Sequence, residues 1–137
     1  LLSKENIFML KLNYLYFYFS PIFMLLLSLM MWMIYPFWSN LMMMNLGFIY
    51  LMCCFSLGGY GLLLSGWSSN SSYSMLGSIR SLSQSISYEV SLSIIMISSI
   101  MLIDSFNLIN LNFLQNNLWG VLYIWPLSFM FFFSIMA

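Results

Sequence analysis

Arg80 and Glu89 stand nine residues apart in a stretch that is otherwise apolar and hydroxylic: W-S-S-N-S-S-Y-S-M-L-G-S-I-R-S-L-S-Q-S-I-S-Y-E-V-S-L-S, residues 67–93. They are two of only six charged side chains; the others are Lys4, Glu5, Lys11 and Asp104. Arg80 opens a run of some twenty residues that reads as a membrane-crossing helix, with Glu89 near its middle. An ionised carboxylate at bilayer depth costs on the order of 2.5 kcal/mol or more. A carboxyl kept there at that cost points to proton handling. The competing reading is a structural carboxyl, held neutral or paired inside a helix bundle. Other chemistries have little to work with. The chain has no His, and its two cysteines, Cys53 and Cys54, are adjacent. Neighbouring cysteines on a helix project apart and do not bridge readily. No second pair completes a zinc or iron–sulfur set, so both thiols read as small apolar fillers.

The elements that position the two charges follow from helix period. Successive residues turn by about 100°, so Arg80 and Glu89 point to roughly opposite faces and a simple pair within the helix is not expected. Gly77, Arg80, Gln84, Ser87 or Tyr88, and Ser91 share one face. Leu82, Ser85, Glu89, Ser93 and Met96 share the other. Serines at 78, 81, 83, 85, 87, 91 and 93 spread polarity around the circumference. Such a helix is expected inside a bundle, against protein or a water-filled cavity. Close packing through small residues accounts for most of the serines.

Composition sets the class. Hydrophobic residues make up 63% of the chain, aromatic residues 20% and charged residues 4%; mean hydropathy is +0.97. A soluble domain carries roughly a quarter charged residues. The chain therefore reads as an all-α integral membrane protein of several spans. Its net charge of zero and the lack of a basic patch argue against a nucleic-acid partner. The bias toward Phe, Leu, Ile, Met, Asn, Tyr and Ser fits translation from an AT-rich, organellar genome. The chain opens Leu1-Leu2 without Met and closes in an apolar run at Ala137. It reads as a four-span helical piece of a larger subunit, truncated at both ends.

The spans are expected at about 13–35, 44–67, 76–102 and 118–137, as one transmembrane unit. Residues 1–12 hold Lys4, Glu5 and Lys11 and read as an interfacial helix or plain flank. Tyr14, Tyr16 and Tyr18 at one end of the first span, and Trp32, Tyr35 and Trp38 at the other, form aromatic belts. Pro21 is expected to kink or cap that helix. Leu57-Gly58-Gly59-Tyr60-Gly61 lies mid-span with no preceding strand, which favours helix packing over phosphate binding. Loops are expected near 36–43, 68–75 and 103–117. No internal repeat is evident. Lys4, Lys11 and Arg80 all fall on the side of the 68–75 loop, which places that loop in the matrix or cytoplasm. Asn70-Ser71-Ser72 matches a glycosylation acceptor, and that topology excludes its use.

The run from Ser65 to Val90 resembles the chain 1 family of mitochondrial NADH–ubiquinone oxidoreductase, respiratory complex I. The family pattern is close to S-G-W-x-S-N-S-x-Y-x-x-x-G-x-x-R-x-x-x-Q-x-I-S-Y-E-V. The chain meets it at Ser65, Gly66, Trp67, Ser69, Asn70, Ser71, Tyr73, Gly77, Arg80, Gln84, Ile86, Ser87, Tyr88, Glu89 and Val90. Ser3-Lys4-Glu5, Ser20-Pro21, Asn45-Leu46-Gly47 and Trp125-Pro126-Leu127 extend a weaker likeness over the whole chain. Ser78, Ser81, Ser83 and Ser85 depart from it, standing where the family usually has Ala. The resemblance implies a quinone channel opening at the matrix side and a buried carboxylate path for protons. It places Glu89 in that path and Arg80 on the quinone-channel side of the same helix. It implies ubiquinone as substrate, no cofactor held by this chain, and NADH, FMN and iron–sulfur clusters on other subunits. The implied partners are those subunits and the lipid bilayer, and the implied location is the mitochondrial inner membrane. It also implies that the family continues past the position of Ala137 into an acidic loop beginning Glu-Thr-Asn-Arg. The alternative is a piece of a secondary transporter or channel with one coupling carboxylate; that reading calls for substrate-binding residues on broken helices, hinted at only by Pro21 and the glycines at 58–61. A purely structural membrane subunit is the third reading.

Overall fold

A computed structural model describes residues 11–35 and 44–136. Its described elements are helical: α1 (Tyr14–Trp32), α2 (Gly47–Ser68), α3 (Ser72–Ile100), a 3₁₀ turn (Leu108–Asn110), and α4 (Leu111–Leu114), α5 (Gly120–Tyr123) and α6 (Trp125–Met136). The expected lead-in through residue 10, the 36–43 loop and Trp38 lie outside the described residues.

α2 is the central helix, packed on α1 and on α3, and α3 in turn meets α6. The three long helices run alternately up and down. At one end Asn13 N–H donates to the Ser68 carbonyl at 3.0 Å, Asn70 Nδ2 donates to the Lys11 carbonyl at 3.0 Å, and the Tyr16 and Trp67 rings lie 6.3 Å apart. At the other end Phe48 N–H donates to the Phe106 carbonyl at 3.2 Å, and the two rings stack at 6.4 Å. Phe48, Leu27, Cys54 and Ile100 are the buried apolar side chains, whereas Leu15 is 76% exposed and Tyr73 90%. So outward-facing an apolar surface needs lipid or further protein around it.

Two described helices are long and apolar enough to cross a membrane, α1 and α2, each with a mean hydropathy of 1.7 over its most apolar window. α3 has the length, 29 residues, or roughly 43 Å of rise, but its serines dilute its hydropathy. The last stretch, expected as one span from 118, is broken into α5 and the 12-residue α6.

Two prolines within the described residues explain part of this. Pro21 sits within α1 and has no N–H for the Phe17 carbonyl four residues back. The buried Ser20 donates its hydroxyl to that carbonyl at 3.1 Å, and the helix continues. Pro126 leaves the Leu122 carbonyl in the same position, and the chain departs from helical geometry at Ile124 (φ −119°, ψ 41°).

The expected polar loop at 68–75 is shorter than its composition suggests. Ser71 adopts extended geometry and its side chain accepts from Ser74 N–H at 3.2 Å, so α3 starts at Ser72. Asn70 takes the left-handed conformation (φ 52°) that ends α2, a conformation Asn tolerates better than most residues.

Candidate functional site

α2 and α3 approach most closely through paired small residues. A Cβ placed on Gly66 would collide with the Ser78 side chain and lie 3.0 Å from the Ser74 carbonyl oxygen. A Cβ on Gly59 would lie 2.8 Å from Ser85 Oγ. Each pair is seven residues from the other on its own helix, two turns, running in opposite senses. Gly61 turns the other way, and a Cβ there would strike the Met24 side chain of α1. The glycines of α2 are thus packing positions, as expected, with the exception of Gly58, where nothing lies within 4 Å.

Around the Gly66–Ser78 pair the hydroxyls interlock. Ser69 and Ser74 hydrogen-bond through their hydroxyls, Ser71 Oγ donates to Ser74 Oγ at 2.6 Å, and both Ser69 and Ser74 reach the Gly66 carbonyl, at 2.7 and 3.2 Å. A cleft of about 370 Å³ remains there between α1, α2 and α3.

Next to the Gly59–Ser85 contact lies a space bounded by α2, α3 and α6. A cleft of about 840 Å³ opens there, and Glu89 is on its wall. Phe55 and Ser56 come from α2, Ser85, Ser93 and Met96 from α3, and Phe131 from α6. Glu89 is half-buried. Ser85 and Ser93 flank it one turn away on each side. Their hydroxyls donate to the Leu82 carbonyl at 2.9 Å and the Val90 carbonyl at 2.8 Å. The wall is otherwise mainly apolar. A carboxyl so placed can exchange a proton with a donor or acceptor that enters the cleft.

Arg80 does not join it. The guanidinium residue is exposed, on the face of α3 turned away from α2, along with Ser83, Gln84, Ser87 and Ser91. Gln84 Nε2 donates to Tyr88 Oη at 2.8 Å on this side. The structure therefore keeps the two sequence-identified residues on different faces, as their spacing requires. Because α3 is unbroken, the expected grouping of Leu82, Ser85, Glu89, Ser93 and Met96 is the inward face. The serines, however, make smaller demands on their surroundings than their number suggests. Ser78, Ser81, Ser83, Ser87 and Ser91 each donate to the carbonyl three residues back, at 2.7 to 2.9 Å. Phe55, Ser56 and Phe131 were not identifiable in sequence as cleft residues, because nothing local to them indicates which part of α3 they meet.

Among the described residues no cluster of His, Cys, Asp and Glu could hold a metal ion. Cys54 is buried as a filler; Cys53, expected to be one too, is exposed, and the two thiols are free.

The family described as NADH dehydrogenase matches residues 1–137. NADH-ubiquinone oxidoreductase chain 1 of Aedes aegypti is 44% identical over 137 residues, all of this chain and 44% of that protein. The protein of the same name from Anopheles gambiae is 42% identical over the same span, again covering 44% of its length. That of Triticum aestivum is 37% identical over 139 residues, all of this chain and 43% of that protein. The chain thus spans less than half the length of the curated relatives it matches.

Proposed function

This chain belongs to the NADH dehydrogenase family, and from that premise we propose that it forms part of the membrane subunit of a proton-translocating NADH:ubiquinone oxidoreductase. In this reading it contributes one wall of the quinone channel and a step of the proton path. It crosses the mitochondrial inner membrane four times, with α3 and the α5–α6 segment as the third and fourth crossings and the turn at 69–71 on the matrix side. Its partners are the remaining length of the same subunit, the other subunits of the complex, ubiquinone and lipid. The nicotinamide, flavin and iron–sulfur chemistry belongs to other subunits.

The observation that carries the proton role is Glu89 itself: half-buried on a mainly apolar cleft wall among three helices. A carboxyl in such a place can give or take a proton when a partner is delivered to the cleft, which suits a gated relay. Arg80, exposed more than two turns into α3, is the residue that lines the quinone side. The break at Ile124, which a secondary-transporter reading would place at the substrate site, is outside the lining of the cleft.

The test is Glu89→Gln in the full-length subunit, assembled in its membrane. Gln keeps the shape and cannot release a proton. Assembly is expected to survive, with quinone-linked turnover and proton translocation per assembled complex falling about tenfold or more. Near-normal translocation in the assembled variant would remove Glu89 from the path.

A further inference from the structure

Ser85 is on the wall of the Glu89 cleft, and a residue without a side chain, Gly59, leaves room for it on α2. Glu89 and Ser85 are a turn apart on the inward face of α3; Phe55 and Gly59 are a turn apart on the facing side of α2. The cleft that Glu89 and Phe55 line, between α2, α3 and α6, holds about 840 Å³. At Gly59 α2 and α3 are so close that a Cβ would lie 2.8 Å from Ser85 Oγ. We infer that Gly59 is a positioning residue for Glu89: its contact with Ser85 seals the cleft one turn from the carboxyl and fixes how far α2 stands from it. The role rests on the proton function proposed for Glu89, but the contact itself can be tested separately.

The geometry explains why Gly59 acts and its neighbour does not. Ser85 Oγ is not free to swing away at no cost, because it donates to the Leu82 carbonyl at 2.9 Å. A methyl group at 59 must therefore either break that bond or push α2 from α3. Either change loosens the wall nearest to Glu89, and interiors answer such insertions with shifts of neighbouring groups. Gly58 meets nothing within 4 Å, so the same methyl group there changes only backbone freedom. The collision is also confined to one atom. Ser85 Cβ would be 3.8 Å from the new methyl carbon, ordinary contact distance. Removing the Ser85 hydroxyl should then accommodate the methyl group and restore the seal.

The experiment compares Gly58→Ala, Gly59→Ala and Gly59→Ala/Ser85→Ala in the full-length subunit assembled in its membrane. The probe is a water-soluble carbodiimide, which modifies carboxyl groups; the rate of modification at Glu89 is read by peptide mass spectrometry, with Glu89→Gln as the blank. Gly59→Ala is expected to raise that rate about threefold or more, Gly58→Ala to leave it as in the parent, and the double variant to return it to the parent rate. Proton translocation per electron should fall with Gly59→Ala and recover in the double variant. Equal rates for Gly58→Ala and Gly59→Ala, or an increase that Ser85→Ala does not reverse, would overturn the assignment. Should Glu89→Gln translocate protons normally while this labelling pattern holds, the proton role of Glu89 falls and the Gly59–Ser85 seal stands.

Discussion

The two ends of the α2–α3 pair are built from the same small residues and do different work. At the 69–71 turn, Gly66 leaves room for the Ser78 side chain and the Ser74 carbonyl, and the hydroxyls of Ser69, Ser71 and Ser74 tie the turn to the Gly66 carbonyl. Two turns along, Gly59 faces the single hydroxyl of Ser85, and next to it lies the cleft that Glu89 lines. The first end is a rigid joint whose polar groups are satisfied locally. The second is a margin, where one atom separates packed protein from a space holding a carboxyl. Small residues bring helices together; what lies beyond the contact decides whether the result is structure or site.

The largest effect should come from the open end. Glu89→Gln is expected to abolish most quinone-linked proton translocation without loss of assembly. Glu89→Asp should keep part of it, limited by reach, as measured by translocation per assembled complex. A Gln variant that fails to assemble and an Asp variant that is fully active would instead make Glu89 a structural residue and erase the contrast.

The closed end should respond in stability and not in chemistry. Gly66→Ala forces a methyl group onto Ser78 and the Ser74 carbonyl, and such overpacking costs about 1–3 kcal/mol. The expected result is a lower thermal-inactivation temperature of the complex, with normal turnover in what remains assembled. Reduced turnover at unchanged thermal stability would show that the joint, too, belongs to the site.

Arg80 sharpens the comparison from the outer face of α3. Arg80→Ala is expected to slow NADH:quinone turnover more than Lys4→Ala does, because a charge more than two turns into a helix needs a cavity or partner. Equal and small losses would leave Arg80 an interfacial anchor. The smallest functional effect belongs to the turn itself. Asn70→Cys should react with an impermeant thiol reagent from the matrix side, and its loss of Asn at φ 52° should cost about 1 kcal/mol or less. Reaction only from the intermembrane space would reverse the topology.

Much of this was legible from residue types and local period. The scarcity of charge declared a membrane class, and the helical repeat placed Ser85, Glu89, Ser93 and Met96 on one face, since α3 runs unbroken through all of them. The 65–90 motif pointed to the family, and the match over residues 1–137 establishes it. Other features depended on bonds that sequence does not display. Pro21 and Pro126 each withhold an N–H, yet α1 continues because Ser20 supplies a hydroxyl to the Phe17 carbonyl, while the last segment breaks at Ile124. Serine content alone suggested a helix demanding polar surroundings; the hydroxyls instead bond within their own turns.

By itself, then, the sequence determined the apolar, helical class, the presence of a carboxyl within a long stretch of few charges and the side of α3 that carries it. These follow from composition and from a 3.6-residue period that any unbroken helix shares. Only the tertiary structure decided that this side meets α2, that Gly59 stands against Ser85, and that Phe55, Ser56 and Phe131 share a cleft with Glu89. The physical reason is range: a helix face is a property of neighbours along the chain, whereas the register of two helices is settled by contacts between residues far apart in it.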